Sequence, residues 1–199
     1  MKQIKQDYSD LIFRRFPLDN ENFEKLMMAI SFREIAPGTI LLSEGEVATK
    51  LFFVVRGCLR TYFIKEDGKD ITAQFFVEDQ IVASFESATT GTPSRAYIEA
   101  IEDSIVGSIP LKALELILNK STVMREEFSR FLMKRLVYYM ERCSSYILDN
   151  PERRYLNLLE DSPELVARLP KQYIASYLGI TPVSLSRIRS RLKKKTDRN

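Results

Sequence analysis

The chain has 199 residues, 45% of them apolar and 29% charged, with a net charge of +3, no histidine and two cysteines; this is the composition of a soluble globular protein with one large or two small domains. Without histidine there is no Ser-His-Asp or Cys-His catalytic set and no histidine-ligated zinc or haem, and two cysteines fall short of the four thiolates of an iron–sulfur cluster. No glycine string of the kind that cradles phosphates and no run of membrane-spanning length occurs, so the expectation is a cytoplasmic protein that is not an enzyme and holds no metal.

Near the start, Leu11, Ile12 and Phe13 are cut short by Arg14 and Arg15, too brief an apolar run for a signal-peptide core. Residues 19–31 predict a short core-facing helix. Asp19 or Asn20 can cap it, and Phe23, Leu26, Met27 and Ile30 recur at i, i+3, i+4 and i+7. From 35 to 110 the period changes. Residues 40–42, 51–55, 59–64, 71–77 and 98–109 are β-rich runs separated by turn signals such as Pro37-Gly38, Arg56-Gly57 and Gly91. Six of the seven glycines lie in this stretch. Many short strands at close spacing predict an antiparallel sandwich or barrel, a jelly-roll-like β-roll. Asp67-Gly68 marks the clearest hairpin. Cys58 reads as a small core residue, and both cysteines are expected to be reduced and buried. Residues 78–97 break the strand pattern. They are rich in Ser, Thr and Ala with a single Arg95, and read either as a loop holding an anion or small polar ligand or as a solvated connection.

A short helix is predicted over 111–120. Residues 122–149 then run 28 residues without Gly or Pro. As one helix they would span about 42 Å. The apolar set there is wide enough for one face to cover the β-domain and another to meet a second copy. Leu132, Tyr139 and Tyr146 recur at seven, as a dimer seam would, although a helix buried within one subunit would also be apolar on several sides. Asp149, Asn150 and Pro151 stop this helix and start the next, which predicts a hinge. The resulting division is 1–121, a β-domain; 122–149, a long helix; and 150–199, an all-α domain.

Within the last segment, residues 171–195 read as a helix-turn-helix. Ile174, Ala175 and Leu178 give the first helix its apolar face, Gly179 supplies a left-handed stop, and Ile180 fills the corner. Thr181 caps the second helix, Pro182 opens it, and Leu185, Ile188 and Leu192 continue one buried stripe. Ser184, Arg187, Arg191 and Lys194 fall mostly on the other side. Residues 171–199 carry eight basic residues and one acid, while residues 1–170 sum to −4. A helical hairpin with a solvated basic face would share the pattern, but this segregation of charge predicts a polyanionic partner, double-stranded DNA.

Taken together, PGTILLSEGE (37–46), LFFVVRGCLRTYF (51–63), EDGKD (66–70), SRAYIEAIEDS (94–104) and IASYLGITPVSLSRIRSRL (174–192) resemble the cyclic-AMP receptor protein/FNR family of bacterial transcription regulators across nearly the whole chain. The resemblance implies a β-roll effector domain, homodimerisation through 122–149, and DNA binding by the terminal helix-turn-helix, with RNA polymerase as a further possible partner. It places Arg187 where the family reads guanine, Lys171 and Gln172 where it touches phosphate, and Thr181, Val183, Ser184 and Arg191 along the same interface. Val183 departs from the carboxylate often found there, so operator preference should differ. For the effector, the resemblance matches Ala83, Ser84, Ser94 and Arg95 to the cyclic-nucleotide cassette. Ser84 stands in place of the ribose-binding carboxylate and the arginine is displaced by one, so cyclic AMP is not the expected ligand; another small effector, or none, is. The β-hairpin wing that often follows the second helix is expected to be reduced or absent. A ligand-sensing module that regulates a protein partner without touching DNA is the alternative reading.

Overall fold

The glycine-punctuated stretch folds into antiparallel sheets, and the described elements after residue 110 are all helices. The computed structural model describes residues 20–196. Residues 11–13, Asp19, Asp197 and Arg198 lie outside them, as do the side chains of Asn20 and Lys195. The elements in order are α1 (Asn20–Ala29), β1 (Ser31–Ile35), β2 (Ile40–Leu42), β3 (Lys50–Arg56), β4 (Leu59–Ile64), β5 (Asp70–Phe76), β6 (Ile81–Val82), α2 (Phe85–Thr90), β7 (Tyr97–Ala100) and β8 (Ser104–Pro110). They continue with α3 (Leu111–Lys120), α4 (Thr122–Leu148), α5 (Pro151–Asp161), α6 (Pro163–Arg168), α7 (Lys171–Tyr177) and α8 (Pro182–Thr196). No helix among the described residues is long and apolar enough to cross a membrane. The packing gathers the chain into two units. One holds the described residues up to Thr61 together with Phe75–Val137; the other holds Tyr62–Gln74 and the chain from Tyr138 onward.

Two four-stranded sheets have the orders β1-β8-β3-β6 and β2-β7-β4-β5. In the first unit, Phe52 and Val54 of β3 face Leu42, Leu59, Ile98 and Ala100 of the opposing sheet, forming the sandwich interior. The alternate residues Leu51 and Phe53 point the other way and pack under α1, α3 and Met124 at the start of α4. Both faces of β3 are therefore covered, which is why it reads as a continuous apolar run and not an alternating one. Arg60 is only 3% exposed; its guanidinium bonds Glu99 at 2.7–2.8 Å, pairing a charge that could not be buried alone.

Gly107 lies on the central strand β8, opposite Phe32 on one side and Phe53 on the other. The two rings meet edge-to-face with centroids 5.8 Å apart. A Cβ at 107 would fall 1.9 Å from the Phe53 ring, so only glycine lets that ring lie across the strand. Gly107→Ala is expected to destabilise the protein by about 1–3 kcal/mol through overpacking. Thermal unfolding checks this; an unchanged melting temperature would show that the ring relocates freely.

Three local expectations are corrected. Strand β1 was not visible in a sequence with only two apolar residues in five, SFREI; its pairing with β8 makes it a strand. Residues 78–97 are not an irregular loop: they contain β6 and the short helix α2, which stops where Gly91 takes a left-handed φ of +70°. Cys58 is fully buried, but Cys143 is exposed on α4; the helical period puts it on the face away from Tyr138, Arg142 and Ser145, which are half-buried.

In the second unit, Asn150 caps α5 by accepting from the Arg153 N–H at 2.9 Å, with Pro151 at the first helical position. The α7–α8 corner is a two-bond glycine stop: Ile180 N–H donates to Ala175 C=O and Gly179 N–H to Ser176 C=O, both at 3.0 Å, with Gly179 at φ +69°. Ala175 is completely buried, so no larger side chain separates α7 from α8, and Ile174, Leu178, Leu185 and Ile188 fill the contact.

Candidate nucleic-acid interface

Leu185 and Ile188 are buried and Leu192 half-buried, which fixes the roll of α8. The opposite face carries Val183, Ser186, Arg187, Ser190, Lys193 and Lys194, all exposed and spaced as one helical stripe. A helix of this width enters the major groove of B-DNA, where an exposed arginine can bond O6 and N7 of guanine together. Lys171 and Gln172 are exposed at the start of α7. Lysine and the amide can both bond phosphate oxygens.

The remaining residues expected at this interface also make contacts within the chain. The Thr181 hydroxyl accepts from the Ser184 N–H at 3.2 Å and lies 3.0 Å from the Ser184 hydroxyl, so Ser184 is half-buried in the helix cap. Arg191 pairs with Glu152 of α5 at 3.3 Å. Ser186 and Ser190 lie on the exposed stripe as well. The helical arithmetic that finds Leu185, Ile188 and Leu192 would also have found them, read from Val183 at i+3 and i+7.

Residues outside α7 and α8 hold the corner. The Tyr146 hydroxyl donates to the Tyr177 carbonyl, and Arg154 donates to the Leu178 carbonyl at 2.9 Å and to that of Asp149 at 2.7 Å. These bonds satisfy carbonyls that a helix end leaves open. The Arg142 guanidinium sits 3.7 Å from the Tyr177 ring centroid. Burial pushes the Tyr177 phenol well above its ordinary range, reinforced by neighbouring Tyr138 and opposed by Arg142, so it stays protonated. The anchors on Tyr177 and Leu178 have no local sequence signal, because their partners lie 24–35 residues away.

The candidate effector residues lie in the first unit. Ser94 Oγ is 2.9 Å from both Ser84 Oγ and the Ala96 carbonyl, and it accepts from the Ala96 N–H at 3.2 Å. The Ser94 hydroxyl donates toward both acceptors, so its single proton is shared between Ser84 Oγ and the Ala96 carbonyl. Ser87 likewise accepts from Ala48 N–H and donates to Thr92 C=O. Ala83 is half-buried and Arg95 is exposed. The structure thus joins Ser84 and Ser94 directly. Among the described residues no group of three or more Cys, Asp or Glu is placed to hold a metal ion.

Residues 32–121 match the family model described as the cyclic nucleotide-binding domain. The anaerobic regulatory protein of Pasteurella multocida (strain Pm70) is 24% identical over 192 residues, which cover 90% of this chain and 69% of that protein. FixK2 from Bradyrhizobium japonicum has the same fold, with a TM-score of 0.73 and 21% identity over 84% of this chain and 86% of its own. So has a transcriptional regulator of the crp/fnr family from Eubacterium rectale, with a TM-score of 0.72 and 19% identity over 92% and 88%.

Proposed function

We propose that this chain is a member of the cyclic-AMP receptor protein/FNR family and works as a homodimeric, sequence-specific DNA-binding transcription regulator, a reading supported by its cyclic nucleotide-binding domain match and by its 24%-identical relatives. The observation that carries this reading is the exposed stripe of Val183, Ser186, Arg187, Ser190, Lys193 and Lys194 on a helix whose opposite face is locked into a glycine-stopped corner. In this reading residues 150–199 bind the duplex, 122–149 join two copies, and 1–121 sense a small effector. Arg187, Ser186 and Ser190 read base edges, Val183 makes apolar contact, and Lys171, Gln172, Lys193 and Lys194 hold phosphates.

Dimerisation is supported by α4. Met133, Leu136, Met140, Cys143 and Ile147 follow one another at alternate steps of three and four, and all are exposed. This is the spacing of a two-helix seam. Tyr146, expected to lie in that seam, is instead spent on Tyr177.

The effector is not cyclic AMP in this reading. Serine replaces the family's carboxylate at 84, and the bonded Ser84–Ser94 pair occupies the two positions that would face ribose and phosphate. The effector is another small molecule whose polar groups can replace that bond.

Gel shift on genomic fragments tests the DNA claim. With 6–10 phosphate contacts per dimer, affinity should fall by about 10³–10⁵ between 50 and 200 mM salt. Absence of any shifted fragment at 50 mM salt would refute it.

A further inference from the structure

We propose that Ser176 is a positioning residue that latches the first helix of the helix-turn-helix onto the edge of the 62–74 hairpin and so holds α7 and α8 ready for DNA, an inference that rests on the DNA-binding reading above. Strand β5 ends its sheet, in the order β2-β7-β4-β5. An end strand presents a row of backbone N–H and C=O groups with no neighbouring strand to receive them. In the second unit, the Ser176 hydroxyl meets that row twice. It accepts from the Thr72 N–H at 2.9 Å and donates to the Asp70 carbonyl at 3.1 Å. Residues i and i+2 of a strand point their backbone groups the same way, so one hydroxyl serves as a single rung of a missing strand.

The sequence setting makes Ser176 specific to this contact. Its neighbours Ala175 and Tyr177 are both buried, leaving Ser176 as the side chain that α7 turns toward the hairpin. A helical serine commonly bonds back to the carbonyl one turn earlier; here it bonds across 104 and 106 residues of chain. The same helix is gripped at its C-terminal end by Tyr146 and Arg154. Two grips fix both the position and the roll of a seven-residue helix that could not stand alone. With the latch closed, Lys171, Gln172, Val183, Ser186, Arg187 and Ser190 are all exposed. The latched arrangement is therefore compatible with a bound duplex, and its loss should weaken binding.

The test compares the intact full-length protein with Ser176→Ala in two measurements. The first is amide hydrogen exchange at Thr72, which should be protected in the parent and exchange about tenfold faster in the variant once its acceptor is gone. The second is affinity for a selected operator and for the same operator with one base pair inserted between its half-sites. The variant should bind the operator about 3- to 30-fold more weakly, as expected when two hydrogen bonds are removed from a pre-organised state. It should also discriminate less against the lengthened spacer, because loosened recognition helices reach either spacing; a general loss of stability would not change that ratio. Operator affinity and spacer discrimination equal to the parent's would overturn the proposal, as would a Thr72 amide that is unprotected in the parent. If the parent binds no DNA, the functional reading fails instead, and Thr72 exchange still decides whether the latch exists.

Discussion

Replacing Leu136 and Met140 together by glutamate is expected to convert the dimer to a monomer and to weaken operator binding by about 10²–10⁴-fold, the gain that joining two binding modules supplies. Leu136 is 51% and Met140 61% exposed in the single chain, so the charges are tolerated by the monomer's own fold. In the dimer they would lie at the centre of the α4 seam. Burying a leucine or methionine there contributes roughly 1.5–3 kcal/mol. The glutamates remove that term and set like charges face to face across the two-fold axis. Sedimentation equilibrium at micromolar concentration reads the mass and gel shift reads the affinity. In the proposed register Cys143 of each chain would lie at the seam, while Cys58 is fully buried. Mild oxidation should therefore link the parent through Cys143, and Cys143→Ser should abolish the link. A double-glutamate variant that remains dimeric would place the interface elsewhere.

Arg187→Ala should cost about 1–3 kcal/mol of operator affinity and relax preference at one base pair per half-site, because a bidentate contact to guanine is lost. The effect should appear with its full size on the operator and be much smaller on unrelated DNA. Lys193→Ala provides the contrast: loss of a phosphate contact weakens binding to all sequences alike and lowers the salt slope by about one. Arg187 is exposed on the stripe centred between Val183 and Ser190, so removing it should leave folding unchanged. A variant retaining both full affinity and the preference would remove Arg187 from base reading.

The helix-turn-helix was legible because each of its determinants is local. Gly179 at positive φ, the Ile180 return bond, the Thr181 cap and Pro182 lie within four residues. The β-roll was legible for a similar reason, since its glycines mark turns and its runs mark strands. What the sequence hid depends on distant partners. Ser184 and Arg191 lie on the helical wheel as expected, and each also bonds within the chain, to the Thr181 cap hydroxyl and to Glu152. Tyr146 fitted a seven-residue repeat, yet its hydroxyl goes to Tyr177, and Met133, Leu136, Met140 and Ile147 form the exposed stripe on which the proposed seam is drawn. The helix α2 escaped notice because it is only six residues long, FESATT, and half of them are Ser or Thr, which carry little helix propensity. Ser176 reads as an ordinary helix serine until the edge of β5 is placed beside it.

The most direct measurement is selection of bound fragments from random DNA by the purified full-length protein, followed by footprinting of the enriched sites. Two copies of α8 related by a two-fold axis should enrich inverted repeats whose half-site centres lie one helical turn, about 34 Å, apart. Enrichment of unpaired half-sites, or no enrichment over the starting pool, would contradict a dimeric regulator that reads DNA through the 171–196 helices.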